Sequence, residues 1–401
     1  MAPEMQAPGK FRVAVLNTHP IQYFAPLYRR IAESCPEVEL TVLYLSDFSL
    51  RGATDPGFRQ SVVWDIDLLE GYEYRFVGRN YRECTPAGFW SLATPAIWKE
   101  IRDGKFDLVW LHGYAHAALL TAIAAAKSCG TDLALRGDSQ LLLNPPGLRR
   151  CVRNGIINRL FRLFDWFLAV GTRNADYYRY MGASSRQILR LPYSIDNRRF
   201  SGAETRPPAG PVIVLFAAKL IPRKDPFTFI EAARLLADRG VPVVMRMAGS
   251  GELEEQLRKK ARDLKLSNLE FCGFVNQAAM PDLMRQSDIF VATSDWEPWG
   301  LVINEAMAAG MAIITSDETG CSVDLVHDGV NGYRIGHGNA KALAACIEDL
   351  VTQRDRLEAF QRESRRIVDA FSLDRSVECF SLAIREIRDA RASRQTQVGA
   401  H

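Results

Sequence analysis

The chain has 401 residues, 47% hydrophobic and 24% charged, with 50 Lys plus Arg against 47 Asp plus Glu and a net charge of +3. At about 100–200 residues per domain this predicts two domains or three, and the ordinary apolar and charged fractions exclude a disordered or fibrous chain. So balanced a charge excludes a protein devoted to nucleic acid.

The apolar stretch 117–126, broken by Thr121, falls short of the ~20 residues a membrane span needs. Pro3, Glu4 and Pro8 stand ahead of the first apolar run, so no signal-peptide core is expected there. Eight scattered cysteines, with no C-x-x-C pair and no histidine cluster at zinc spacing, predict reduced thiols and a cytoplasmic protein.

Continuous runs of Val, Ile and Leu predict strands at 11–17, 38–46, 106–112, 132–136, 167–171 and 187–192. Helices are expected between them at 26–35, 115–127, 149–164 and 173–181. Buried strands alternating with helices indicate βαβ units and a parallel sheet covered on both faces. Residues 47–93, rich in Gly, Asp and aromatics, break the alternation and read as a long irregular excursion, a place where function often lies. Residues 197–211, with three prolines and two glycines, read as an inter-domain linker.

The alternation then restarts. A strand at 211–218 leads to Asp225-Pro226, an N-cap and first-turn proline for a helix ending at Asp238. Further strands are expected at 243–248, 269–273, 289–294 and 312–316, then helices to about Ala392, and a frayed polar tail over 392–401.

The unusual residues of the second half fall just after these strands, where open α/β sheets place their ligands. Lys219, Arg223 and Lys224 lead into a helix, and such cations beside a helix N-terminus suit a diphosphate, or form a solvated basic turn. Gly249-Ser250-Gly251 follows the next strand; glycines there let backbone N–H groups approach a phosphate, or simply make the turn. In 294–310, a Pro/Trp/Gly loop carrying Glu297 precedes an apolar helix carrying Glu305. A carboxylate in a crevice can accept two hydroxyl hydrogen bonds at once, which fits ribose or sugar diols.

Together, Lys219…Lys224, Gly249-Ser250-Gly251, Phe271-Cys272-Gly273-Phe274-Val275, the Glu297/Glu305 pair and Glu305-Ala306-Met307-Ala308-Ala309-Gly310 resemble the donor domain of family-4 glycosyltransferases, retaining enzymes of the GT-B fold. The resemblance implies two facing Rossmann-like α/β domains with a cleft between them. Residues 1–200 would form the acceptor side and 201–370 the nucleotide-sugar side, with a C-terminal helix in 371–401 crossing back to the first domain. It implies that Lys219 and Lys224 bind the diphosphate, Glu305 the ribose and Glu297 the transferred sugar. Gly300, Leu301 and Val302 would reach sugar and phosphate, Gly249 and Gly251 would belong to the donor site, and the segment at Phe274 and Val275 would face the base. Lys219 stands where the family commonly has arginine, which loses the bidentate fork; Trp299 replaces the usual phenylalanine.

The first half resembles the family less. Residues 107–113 look like the strand and histidine lining the acceptor side, which raises His112 above the ordinary reading of a structural histidine. Residues 17–23, with His19 and Gln22, replace the usual Gly-Gly loop and are expected on the acceptor side. Pro192-Tyr193-Ser194-Ile195-Asp196 departs from a common Pro-Asn-Gly-Val-Asp. Asp65-Ile66-Asp67 matches the metal motif of the other large glycosyltransferase fold, but cations and helix ends can neutralise a diphosphate without metal, so no metal and no cofactor are expected.

Residues 148–164, from Leu148 to Phe164, carry five arginines and no acid alongside Ile156, Ile157, Leu160 and Phe161. This is either a core-packed helix with a solvated face or a basic amphipathic helix on the inner face of an anionic membrane. The reading is a retaining, metal-independent glycosyltransferase acting on a nucleotide-sugar donor and a glycan or lipid-linked acceptor, with Glu297 and His112 at the reacting centre. It competes with a GT-B-like phosphorylase or epimerase and with a non-catalytic nucleotide-sugar-binding subunit. A dehydrogenase is disfavoured because neither half has a full glycine fingerprint.

Overall fold

The apolar runs at the centre of each sheet become strands buried on both faces, because helices pack over both sides of the sheet. The computed structural model describes residues 9–52, 54–55, 57–61, 63–78, 80–86, 88–141, 147–202 and 210–398. The first half contains β1 (Phe11–Asn17), β2 (Val38–Tyr44), β3 (Thr54–Asp55), β4 (Gln60–Ser61), β5 (Glu73–Phe76), β6 (Leu108–His112), β7 (Asp132–Gly137), β8 (Trp166–Ala169) and β9 (Ile188–Arg190). Among the described residues seven of these pair parallel in the order β5-β2-β1-β6-β7-β8-β9, while β3 and β4 form a separate antiparallel pair. The second half contains β10 (Val212–Ala217), β11 (Val243–Ala248), β12 (Leu269–Gly273), β13 (Ile289–Ala292), β14 (Ala312–Ser316) and β15 (Gly332–Ile335), in the order β12-β11-β10-β13-β14-β15. In each sheet the winding reverses beside the first strand, at β1/β6 and at β10/β13. The connections leave in opposite directions there, and a crevice opens beyond the strand ends.

The excursion at 47–93 is less irregular than its composition predicts. Glu73–Phe76 pairs with β2 as an edge strand. Three of its four residues are exposed, so it lacks the apolar run that marks the inner strands. Of the linker at 197–211, residues 203–209 lie outside the described residues. The polar tail expected from residue 392 is, as far as Val398, the last turns of a helix, Leu373–Val398. That helix returns to the first sheet, where Val377, Phe380, Ala383, Ile384 and Ile387 pack with Phe11, Val13 and Trp110. Its polar end is held by Arg391, which donates to Asp107 O at 3.3 Å and Gly130 O at 3.1 Å, and by Arg394, 2.5 Å from Asp132.

A fourth apolar cluster joins the halves. Val170, Tyr193, Ile195 and Phe200 from the first pack with Trp299, Ile303 and Met307 from the second. The helix Leu148–Phe161 turns Ile157 and Phe161 into the first core yet leaves Val152 and Ile156 57% and 61% exposed. Its outer face is therefore apolar as well as basic. No helix among the described residues is long and apolar enough to cross a membrane.

Candidate active site

Both crevices open onto one cleft of about 490 Å³, walled by β10, β11, β12 and β13 loops on one side and by residues 19–24, Asp138 and Tyr193 on the other. The cationic loop after β10 is pinned at its far end. Asp225 adopts φ 43° and accepts the Thr228 N–H at 3.3 Å, which starts the helix Pro226–Asp238. Thr293, past the end of β13, donates its hydroxyl to Lys224 O and Asp225 O at 3.0 and 2.8 Å. The cations are thereby delivered to the Glu297 loop: Arg223 Nη1 lies 2.9 Å from Glu297 Oε2, and Lys224 Nζ contacts the same oxygen. Burial lowers the Lys224 pKa, an effect the Glu297 carboxylate opposes.

Gly300 takes φ 98°, a left-handed conformation that costs other residues more, and so lets the chain turn from the Glu297 loop into the helix Leu301–Ala309. Gly300, Leu301 and Val302 line the cleft at this helix start, where the first N–H groups have no intrahelical acceptor. One turn on, Glu305 is 3% exposed, with no hydrogen-bond partner for its carboxylate among the described residues. Burial pushes its pKa up to about 8, against a smaller opposing effect of Arg199. Tyr23, from the first domain, faces both glutamates; burial and then their charges hold its pKa well above the usual phenol value.

The glycines after β11 serve packing more directly than phosphate. A Cβ on Gly249 would fall 1.9 Å from Ala218 O, and the Gly249 N–H is already given to Gly273 O at 2.7 Å. Gly251 meets Leu220 O in the same way and does not line the cleft. Phe274 and Val275 do line it, as do Lys219, Lys224 and Gly249.

On the first-domain side His19 and Gln22 line the cleft, and the Thr18 hydroxyl pairs with His19 Nδ1 at 2.9 Å. His112 sits one layer back: Phe24 stacks on its ring at 4.5 Å, and Phe24 is the one that lines the cleft. Asn17 Nδ2 donates to Tyr28 Oη at 2.5 Å, and Tyr28 Oη lies 2.8 Å from His112 Nε2. Burial, with Arg136 nearby, holds the His112 pKa well below its usual value, so the ring is neutral at pH 7.

Sequence reasoning did not single out several cleft residues, among them Asp138, Tyr23, Phe58 and Trp64. Asp138 follows β7, and burial raises its pKa while a Tyr193 hydrogen bond opposes the shift. Its position one residue beyond a strand end could have flagged it. Tyr23 adjoins Gln22. Phe58 and Trp64 come from the excursion, whose sequence offers no periodicity to place them. Gln140 ties the Asp138 loop to the other domain by donating to Glu297 O at 2.8 Å. The Asp65 and Asp67 carboxylates are each engaged by backbone N–H groups, Asp65 by that of Ala278 in the other domain at 3.0 Å and Asp67 by those of Leu69 and Glu70 at 2.8 and 2.9 Å. No group of three metal-ligating side chains occurs among the described residues.

Two domains of this topology facing one cleft match known structures along almost their whole length. The structure of Anabaena HepE in complex with UDP superposes with a TM-score of 0.71 at 18% identity, covering 94% of this chain and 99% of that one. The fold is GT-B. Residues 197–367, the half of the GT-B structure that holds the cations and both glutamates, match the family model for glycosyl transferases group 1. A provisional colanic acid biosynthesis glycosyltransferase of Salmonella typhimurium, WcaL, is 27% identical over 218 residues, 52% of this chain and 53% of that protein. The D-inositol 3-phosphate glycosyltransferase of Geodermatophilus obscurus is 31% identical over 220 residues, 51% of this chain and 47% of that protein. The chain thus spans about half the length of the curated relatives it matches.

Proposed function

We propose that this protein is a glycosyltransferase that moves a sugar from a nucleoside-diphosphate sugar to a hydroxyl of a glycan or lipid-linked acceptor, with retention, in polysaccharide or glycoconjugate synthesis. The observation that carries the reading is the juxtaposition of Arg223 and Lys224, Glu297 and the unpartnered Glu305 around one helix start, inside the segment that matches the glycosyl transferases group 1 model.

In this reading Lys219, Arg223 and Lys224, with the N–H groups of Leu301 and Val302, stabilise the negative charge that grows on the departing diphosphate. Glu305 holds the ribose diol, and Glu297 turns toward the transferred sugar. The acceptor hydroxyl attacks from the face the diphosphate is leaving, and a leaving-group oxygen takes its proton. Tyr23 and Asp138 stand on the acceptor side, and the neutral His112 braces Phe24 behind it. The cations supply the electrostatics, so no metal is required. HepE was solved with UDP, and WcaL and the inositol phosphate enzyme carry glycosyltransferase names, which supports a nucleotide-sugar donor and a glycan or polyol acceptor. The protein would work in the cytoplasm, and the outward Val152 and Ile156 among arginines would bring it to the inner membrane face when the acceptor is a lipid.

A thermal-shift panel of UDP-, GDP- and ADP-sugars tests the reading. One base should stand out, because a donor at 100 times its Kd stabilises by about 2.7 kcal/mol. A flat panel together with phosphate-dependent cleavage of a glycoside would replace it with a phosphorylase.

A further inference from the structure

Among the contacts that join the two domains, two differ sharply in character. One is the apolar seam: Tyr193 meets Trp299 edge-on at 5.9 Å, and a Cβ on Gly171 would fall 2.2 Å from the Trp299 ring. Both rings of this seam are buried. The other is made by the excursion of the first domain, residues 57–61 and 63–66, lying on the donor-side loops of the second. The Phe58 ring meets Phe274 edge-on at 5.0 Å and carries Lys219 Nζ 4.7 Å from its centroid, while Phe58 O accepts the Ser250 hydroxyl at 3.1 Å. Three polar tethers follow. Arg59 pairs with Glu252 at 3.2 Å, Asn276 donates to Val63 O at 2.9 Å, and Asp65 accepts the Ala278 N–H at 3.0 Å. Arg59 and Glu252 are 63% and 41% exposed, so this contact is easily broken by water where the seam is not.

We propose that this stretch is a latch over the donor side of the cleft, in which Phe58 is the positioning residue for Lys219, and that it must lift before the spent nucleoside diphosphate can leave. The inference rests on the glycosyltransferase reading. Phe58 bridges the loops after β10, β11 and β12, the three loops assigned to diphosphate and base. A nucleotide seated among them is covered by its ring. A cation over an aromatic face is attracted by the ring, which keeps Lys219 aimed toward the cleft it lines. Weak rim tethers opposite a rigid seam are the arrangement that lets one edge open while the other stays fixed.

The test uses the full chain and whichever of UDP, GDP and ADP stabilises it. The double variant Asp65→Ala/Asn276→Ala removes two tethers and leaves every residue assigned to the ligand in place. Stopped-flow displacement of a fluorescent analogue of that diphosphate should show a dissociation rate three- to thirty-fold faster than wild type, with an unchanged melting temperature. Phe58→Ala should in addition weaken equilibrium binding several-fold, and Phe58→Tyr should restore it. In the wild type, amide hydrogen exchange across residues 57–61 should slow when the diphosphate binds. Wild-type dissociation rates in the double variant, or exchange that ignores the ligand, would overturn the latch. Failure of all three diphosphates to bind the wild type would overturn the glycosyltransferase reading and the latch with it.

Discussion

Removing the Glu297 charge should tighten the binding of free nucleoside diphosphate while it slows catalysis. The Glu297 carboxylate pairs with Arg223 and Lys224, so a diphosphate bound to those cations must compete with it. Lys224 and Glu297 are 14% and 15% exposed, which places the pair between surface ion pairs, worth about 0–1 kcal/mol, and fully buried ones, whose rupture costs about 3–5 kcal/mol. An intermediate value of about 1–2 kcal/mol corresponds to a Kd roughly five- to thirty-fold lower in Glu297→Gln. The same change removes a group that faces the transferred sugar, so kcat should fall by about one to three orders of magnitude. Titration calorimetry with the free diphosphate, alongside steady-state turnover of the donor, measures both. Glu305→Gln is the control: it should weaken the diphosphate and raise the donor KM, because ribose contacts change little between ground and transition state. Weaker diphosphate binding in Glu297→Gln would refute the argument that the carboxylate is a competing counter-ion.

Glu305 has a folded pKa of about 8 against an ordinary 4.5. Between those values the folded protein keeps a proton that the unfolded chain releases, so stability declines as pH rises from 4.5 to 8. Glu305→Gln removes that decline, and its melting temperature should gain on wild type between pH 5 and pH 8.5; parallel curves would show that the buried carboxyl does not titrate there. Turnover should survive EDTA undiminished, and loss restored by Mg²⁺ or Mn²⁺ would return Asp65 and Asp67 to consideration as ligands. Binding to vesicles should require anionic lipid, weaken with salt and fall on changing Ile156 to Asn or Arg153, Arg159 and Arg162 to Gln. Equal partition between neutral and anionic vesicles would reject the membrane contact.

Strands buried on both faces were the most legible part of the molecule. Phe11–Asn17, Val243–Ala248 and Ala312–Ser316 are mostly apolar and mostly buried and occur with the predicted bounds. Glu73–Phe76 and Gly332–Ile335 were not legible, since edge strands show one face to water and need no such run. The donor-side cluster could be read because its members sit within a few residues of strand ends in one continuous stretch. Long-range pairings had no such signal. Nothing local in Asp65 announces the Ala278 N–H, or in Phe24 that it would stand between His112 and the cleft. The glycines at 249 and 251 read locally as either a phosphate approach or a plain turn, and the close carbonyls of Ala218 and Leu220 add a packing requirement that the sequence does not show.

The returning helix Leu373–Val398 also bears on how the chain is made. It covers Phe11 and Trp110 with residues translated more than 260 positions after Trp110. While the ribosome is still building the second domain, the first can complete its sheet but not that face of its core. The amino-terminal half therefore emerges with an oily flank bare, a binding site for chaperones, and gains its full cooperativity only when the last helix arrives. Cutting the connection near residue 201 in the finished protein would not yield two independent pieces, because the carboxy-terminal fragment would still hold part of its neighbour's interior.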